Sequence, residues 1–256
     1  MKIKNYINFC VLLLLFTGCS KDSLNNSTGI DKSANLKALG FSANQLISDE
    51  KFTSLKVEVV YVTGFEPTQT TLDNLKTFLE NRTFKPDGIS ITTRAVASSN
   101  KAPFNITEIA KIEAEERIEY NAGDEIAVFI YFADGSNEND TDSKTVLGTS
   151  FRNTSMVIYE KTIQFIADHT NNSDRTNIES TVLNHEFGHL FGLVNMGTPM
   201  QTNHENSEKK GHCSVENCLM AANFQFGGSL MNTIGNNTIP VLDPLCIEDL
   251  QAKGGR

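Results

Sequence analysis

Apolar and polar residues change phase along this chain, and each change of phase marks an element. Leu55-Lys56-Val57-Glu58-Val59-Val60-Tyr61-Val62 is a β-branched run that predicts a strand. Pro67 and the threonines after it open a helix carried by Leu72, Leu75, Phe78 and Leu79, an i, i+3, i+6, i+7 stripe. Gly88-Ile89-Ser90-Ile91-Thr92 alternates as a second strand. Ile106 to Ile118 is amphipathic and heavily charged, which predicts a surface helix with Glu113, Glu115 and Glu116 on a solvated face. Ile126 to Phe132 is apolar throughout and predicts a central strand buried on both sides. The loop after it carries Asp134, Glu138, Asp140 and Asp142 without the spacing of a calcium loop. Strand-like pieces at Thr145–Thr149 and Ser155–Tyr159, a short helix and a longer helical stretch follow. Strands interleaved with helices predict one mixed α/β (α+β) domain, a twisted mixed sheet packed on helices, with no internal repeat.

The first residues follow a different pattern. Lys2 and Lys4 precede an apolar run from Val11 to Phe16, and Thr17-Gly18 leads into Cys19. The run is too short to span a membrane and predicts a cleaved export signal. It resembles a bacterial lipoprotein signal, which implies a signal peptide over residues 1–18, a lipid on Cys19 and a place in the cell envelope. An outer-membrane anchor with a periplasmic or a surface-exposed face is implied; an ordinary secretion signal cleaved nearby is the alternative. Residues 19–50 are polar and read as a flexible tether with one short helix near Leu36–Leu46. Residues 51–256 form the domain. A formal charge of −9 argues against nucleic acid as a partner, and a monomer is expected.

The chemistry concentrates in Asn184-His185-Glu186-Phe187-Gly188-His189-Leu190-Phe191-Gly192. Two histidines four apart share one helix face, so both imidazoles can reach one zinc ion, and the glutamate between them can act as general base. Thr176 and Glu179 read as a capping box, Ile178, Val182, Leu183, Phe187 and Leu190 as buried positions, and Gly192 as the helix stop. Two histidines follow the turn, His204 and His212, and spacing leaves both open as a third ligand.

The run His185 to Gly192 resembles the signature of the metzincin zinc peptidases, in which a third histidine stands three residues past the glycine. Here that position is Asn195, whose amide oxygen is a poor zinc ligand beside imidazole. His212-Cys213, Cys218 and Met220 resemble the archaelysin (archaemetzincin-like) form of the motif, which implies His212 as the third ligand after an insertion spanning Asn195 to Gly211. The same resemblance implies Met220 as the methionine beneath the zinc, with Met231 in Ser229-Leu230-Met231 as the alternative. It implies a structural zinc held by Cys213, Cys218, Cys246 and Asp249, the aspartate standing where that family has a last cysteine. In an oxidising compartment a disulfide among the three cysteines, leaving one free thiol, is the competing arrangement.

The function expected is a lipid-anchored, zinc-dependent endopeptidase cutting peptide or protein substrates. Extended substrate would lie along an edge strand near Val146–Tyr159. The alternative is a non-catalytic metzincin-fold lipoprotein that binds peptide or protein at a degenerate metal site. A hydrolase of other amides, in glycan or peptidoglycan, ranks below both because no aromatic carbohydrate-binding array is present.

Overall fold

A computed structural model of the chain describes residues 31–141, 144–169, 175–222 and 238–256. The export signal with Cys19, Asp142 and Met231 lie outside the described residues. Among the described residues, no helix is long and apolar enough to cross a membrane.

Five strands form one sheet in the order β2-β1-β3-β5-β4. β1 (Ser54–Val62) pairs in parallel with β2 (Gly88–Val96) on one side and β3 (Glu125–Phe132) on the other, and β3 pairs in parallel with β5 (Ser155–Ile158). Parallel neighbours need crossovers. The helix α2 (Gln69–Arg82) lies between β1 and β2 in sequence, and α3 (Ile106–Glu116) lies between β2 and β3. β4 (Gly148–Arg152) runs antiparallel to β5 and forms an edge of the sheet, with a register irregularity between Ser150 and Arg152.

β3 is buried on both sides, as its apolar run predicts. Ile126, Val128, Ile130 and Phe132 join the larger core with Leu75 and Leu79 of α2 and with Val182, Phe187 and Leu190. Phe129 and Tyr131 face the opposite core, with Val60, Ile109 and Tyr159. Truncating Ile130 to alanine would cost about 2–5 kcal/mol, the range for a fully buried aliphatic side chain.

Three expectations change. Packing begins upstream of residue 51. Asn35 is fully buried and donates to the Ala127 carbonyl and to Asn121 Oδ1, and Ala43, Leu46 and Ile47 of the short helix α1 (Ala43–Ile47) are buried. Lys85 Nζ donates to the carbonyls of Gln45, Ser48 and Phe52, which ties this segment to the sheet. A polar composition hid the packing because several of its polar groups find partners inside the fold.

Glu113 is buried rather than solvated. Its carboxylate accepts from Arg117 Nη1 at 2.8 Å, Arg152 Nη1 at 2.6 Å and Ser155 Oγ at 2.5 Å. Two of these partners come from other elements, so the helix sequence alone could not announce them.

Glu179 caps a neighbouring helix. Its Oε2 accepts from Thr68 N at 3.0 Å and from Thr71 Oγ1 at 2.6 Å, at the start of α2. After α4 (Glu160–His169), Thr176 lies inside α5 (Arg175–Leu190), with Thr68 Oγ1 3.1 Å from its hydroxyl.

Candidate metal centre

α5 runs between the sheet and the rest of the domain, and every residue from Ile178 to Leu190 is buried. Gly192, at φ 72°, ends it. The Leu193 N–H returns to the Gly188 carbonyl and the Gly192 N–H to the His189 carbonyl. This double closure is the Schellman arrangement, which needs a left-handed residue where glycine stands. A side chain at 192 would also meet Thr198 N at 2.8 Å, so the chain past the helix is pressed against its end.

The helical repeat brings His185 and His189 together, and their Nε2 atoms stand 3.1 Å apart. Two nitrogens on one tetrahedral zinc at ordinary bond lengths stand roughly 3.3 Å apart, so the pair already has ligand spacing. His212 completes the cluster, its ring centroid 5.3 Å from that of His185 and 5.1 Å from that of His189. The nitrogens of the three rings lie within 4.8 Å of one another, and all three residues are buried. His185 Nδ1 is 2.7 Å from the Leu219 carbonyl and His212 Nδ1 is 3.1 Å from the Lys210 carbonyl. Such backing puts the proton on Nδ1 and turns Nε2 inward as a lone pair. Burial, reinforced by His212, lowers the pKa of His185 to about 3. Burial beside His185 and His212 holds His189 well below its usual range. Three buried imidazoles with their nitrogens gathered at one point suit zinc.

Glu186 is fully buried next to this cluster. Ser150 N, on the edge strand β4, donates to its Oε2 at 2.7 Å, and Ser150 Oγ donates to its backbone carbonyl at 2.9 Å. Oε1 has no partner among the described residues. Burial raises the carboxyl pKa to about 7, against the lowering effect of the Ser150 hydrogen bonds. Gly148 makes room for this side chain, since a Cβ there would meet Glu186 Cγ at 2.9 Å. Neither Ser150 nor Gly148 stood out in the sequence, because each acts through the register of β4 against α5.

Met220 is buried against Gly188, where an added Cβ would stand 2.2 Å from the Met220 sulfur. The glycine inside the motif therefore admits the methionine between the two helix histidines. Asn195 is exposed, at φ 65°, and belongs to neither donor cluster.

A second buried cluster joins His204, Cys213, Asp243 and Cys246, their donor atoms again within 4.8 Å of one another. His204 Nδ1 is 3.2 Å from Cys213 Sγ and 3.8 Å from Cys246 Sγ. Cys218 Sγ is 3.6 Å from Cys246 Sγ, and all three thiols are unbridged. Sulfurs sharing a tetrahedral zinc at about 2.3 Å stand roughly 3.8 Å apart, so Cys218 and Cys246 have metal-site spacing without a disulfide. Hydrogen bonding among the three sulfurs holds the Cys213 thiol below its usual range and pushes those of Cys218 and Cys246 up.

Asp249 is placed one step away from these sulfurs. Its Oδ2 is 2.8 Å from His204 Nε2, and its Oδ1 accepts from Gln201 N at 2.6 Å. The side chain facing the sulfurs is His204, and the aspartate orients it. Burial alone would lower the His204 pKa, but hydrogen bonds with Cys213 and Asp249 outweigh it and raise the value. Asp243 caps α6 (Pro244–Ala252) through Oδ1, which accepts from Leu245 N and Cys246 N. Its Oδ2 accepts from Cys213 Sγ at 2.9 Å. The contact of Asp243 with Cys213 crosses the fold, so the residue did not stand out in the sequence.

The fold matches a solved structure. The crystal structure of archaemetzincin from Methanopyrus kandleri superposes with a TM-score of 0.50 at 15% identity, covering 78% of this chain and 96% of that one. The fold is archaemetzincin-like. No family model matches the chain, and a search of curated proteins finds no match.

Proposed function

We propose that this protein is a zinc-dependent endopeptidase in which His185, His189 and His212 hold the ion and Glu186 is the general base. The observation that carries the reading is the convergence of three buried, inward-facing imidazoles beside a buried carboxylate with one tethered and one unpartnered oxygen. Zinc bound there supplies a Lewis acid that polarises a peptide carbonyl and makes water acidic enough to lose a proton near neutral pH.

The chain's own groups do the rest. Glu186 Oε1 receives the proton of the attacking water and delivers it to the departing amine nitrogen. Ser150 keeps Oε2 fixed, so the proton moves at one oxygen. The Leu219 and Lys210 carbonyls hold His185 and His212 in the tautomer that points Nε2 inward. β4 offers an outer edge on which an extended peptide can add as a strand. It is the strand that carries Ser150, so the substrate and the residue that orients the base share one element.

A second zinc in the thiol cluster, with ligands Cys213, Cys218, Cys246 and His204, is part of the same reading. The sulfur spacing and the orienting Asp249 support it. Cleavage of residues 1–18 and a lipid on Cys19 would anchor the domain in the cell envelope.

Glu186→Gln is the decisive variant. With zinc retained, hydrolysis of a mixed peptide pool should fall by about 10²–10⁴-fold. Wild-type turnover in the zinc-loaded variant would end the proposal.

A further inference from the structure

The thiol cluster is joined to the histidine centre by the shortest possible covalent links. His212 immediately precedes Cys213, and Leu219 immediately follows Cys218. One tight turn, residues 213–218, thus carries the third histidine at one end. At its other end is the carbonyl that backs the first histidine, with Leu219 O 2.7 Å from His185 Nδ1.

The turn is held almost entirely by sulfur and main chain. Cys213 Sγ accepts from Val215 N at 3.3 Å, and Cys218 Sγ accepts from Met220 N at 3.3 Å. The Cys213 N–H donates to the Met220 carbonyl at 2.8 Å, closing the turn across its mouth. Asn217 takes a left-handed φ of 66° within it. From outside, Cys246 of α6 reaches Cys218 Sγ, and His204 reaches Cys213 Sγ. The Ser214 N–H donates to the His204 carbonyl and the Leu219 N–H to the Val241 carbonyl, both at 2.8 Å. The segment after α5, Asn195 to Gly211, supplies that histidine, and its own position is fixed by Asp249.

We infer that Cys213, Cys218, Cys246, His204 and Asp249 are positioning residues for the histidine centre. They set the turn whose two ends deliver His212 and the Leu219 carbonyl, and so they set the affinity of the three histidines for their ion. The inference rests on the reading that those histidines bind zinc. Groups that orient a metal's ligands typically account for about 10–100-fold in affinity. A merely structural role would instead lower thermal stability and leave that affinity alone.

Cobalt titration of the purified full-length chain separates the two centres. Soft thiolates give intense sulfur-to-metal absorption in the near ultraviolet besides visible bands, so binding at the imidazole-only site is read as cobalt that adds visible absorption without adding to the near-ultraviolet band. In Cys246→Ala the near-ultraviolet band should be lost, and cobalt affinity at the histidine centre should fall by about 10-fold or more. Asp249→Asn keeps every thiol and the shape of the side chain. It should weaken the histidine centre by a smaller factor, about threefold, which covers the case in which Cys246→Ala fails to fold. Wild-type affinity at the histidine centre in either folded variant would overturn the inference. Absence in the wild-type chain of any cobalt bound without sulfur absorption would instead remove the zinc reading on which it stands.

Discussion

Around the three histidines, carbonyl oxygens sit behind two of the rings, and the Nε2 atoms of His185 and His189 stand 3.1 Å apart. Around the thiols, two backbone N–H groups point at sulfur, and the fourth position is filled by an imidazole that is itself held by a carboxylate. The first cluster offers three donors and leaves a fourth direction for a reactant. The second offers four buried donors of its own. Zinc chemistry sorts along the same line, with three protein ligands and an open position for catalysis and four for structure. Two clusters joined by one turn can therefore divide the work, one to react and one to hold.

The comparison breaks most readily at the two histidines that follow α5. His212→Ala should abolish peptide hydrolysis and leave the sulfur band of bound cobalt intact. His204→Ala should perturb that band and lower hydrolysis by about tenfold, through weaker metal binding at the histidine centre. If the two variants exchanged these effects, the division between the clusters would be reversed. A packing change comes next. Gly188→Ala drives a Cβ to 2.2 Å from the Met220 sulfur, and overpacking of this kind costs about 1–3 kcal/mol. Denaturant unfolding should show that loss, with zinc affinity reduced because Met220 lies one residue past Leu219. Unchanged stability would mean that the methionine is free to move aside.

The smallest effect sharpens the comparison from the far end of α5. Glu160 is buried beside Glu179, with Arg175 2.8 Å from its Oε1. Burial, then the neighbouring Glu179, raises its pKa from 4.5 to about 9. A carboxyl that ionises early when unfolded and late when folded adds stability in full below its unfolded pKa. That stability is lost as pH climbs towards the folded value. Glu160→Gln has no such proton to lose, so its melting temperature should rise relative to wild type between about pH 5 and pH 9. Metal affinity should stay level, because the histidines are positioned from the thiol turn rather than from this end of the helix. A fall in zinc binding would show that α5 is tuned from both ends.

How much of this was legible depended on range along the chain. The helix pair His185 and His189, Glu186 and the stop at Gly192 follow from i, i+4 geometry and turn chemistry, and they read directly. The strands β1 and β3 read equally well, because burial on both faces leaves an unbroken apolar run. For the third histidine spacing left His204 and His212 open, the resemblance of His212-Cys213 to the archaelysin motif implied His212, and the fold brings that ring to the other two. Asp249 occupies a position that suggested a ligand, yet at that site the chain turns a histidine toward sulfur and uses the carboxylate behind it. Glu113 looked solvated because Arg152 and Ser155, which neutralise and bind it, belong to strands about forty residues away.

Zinc per chain, measured by elemental analysis on the wild type and on His212→Ala, tests the central claim most directly. Two zinc ions should fall to one in the variant, with the remaining ion bound through sulfur. An unchanged zinc content in folded His212→Ala, or a wild-type chain without zinc, would contradict it.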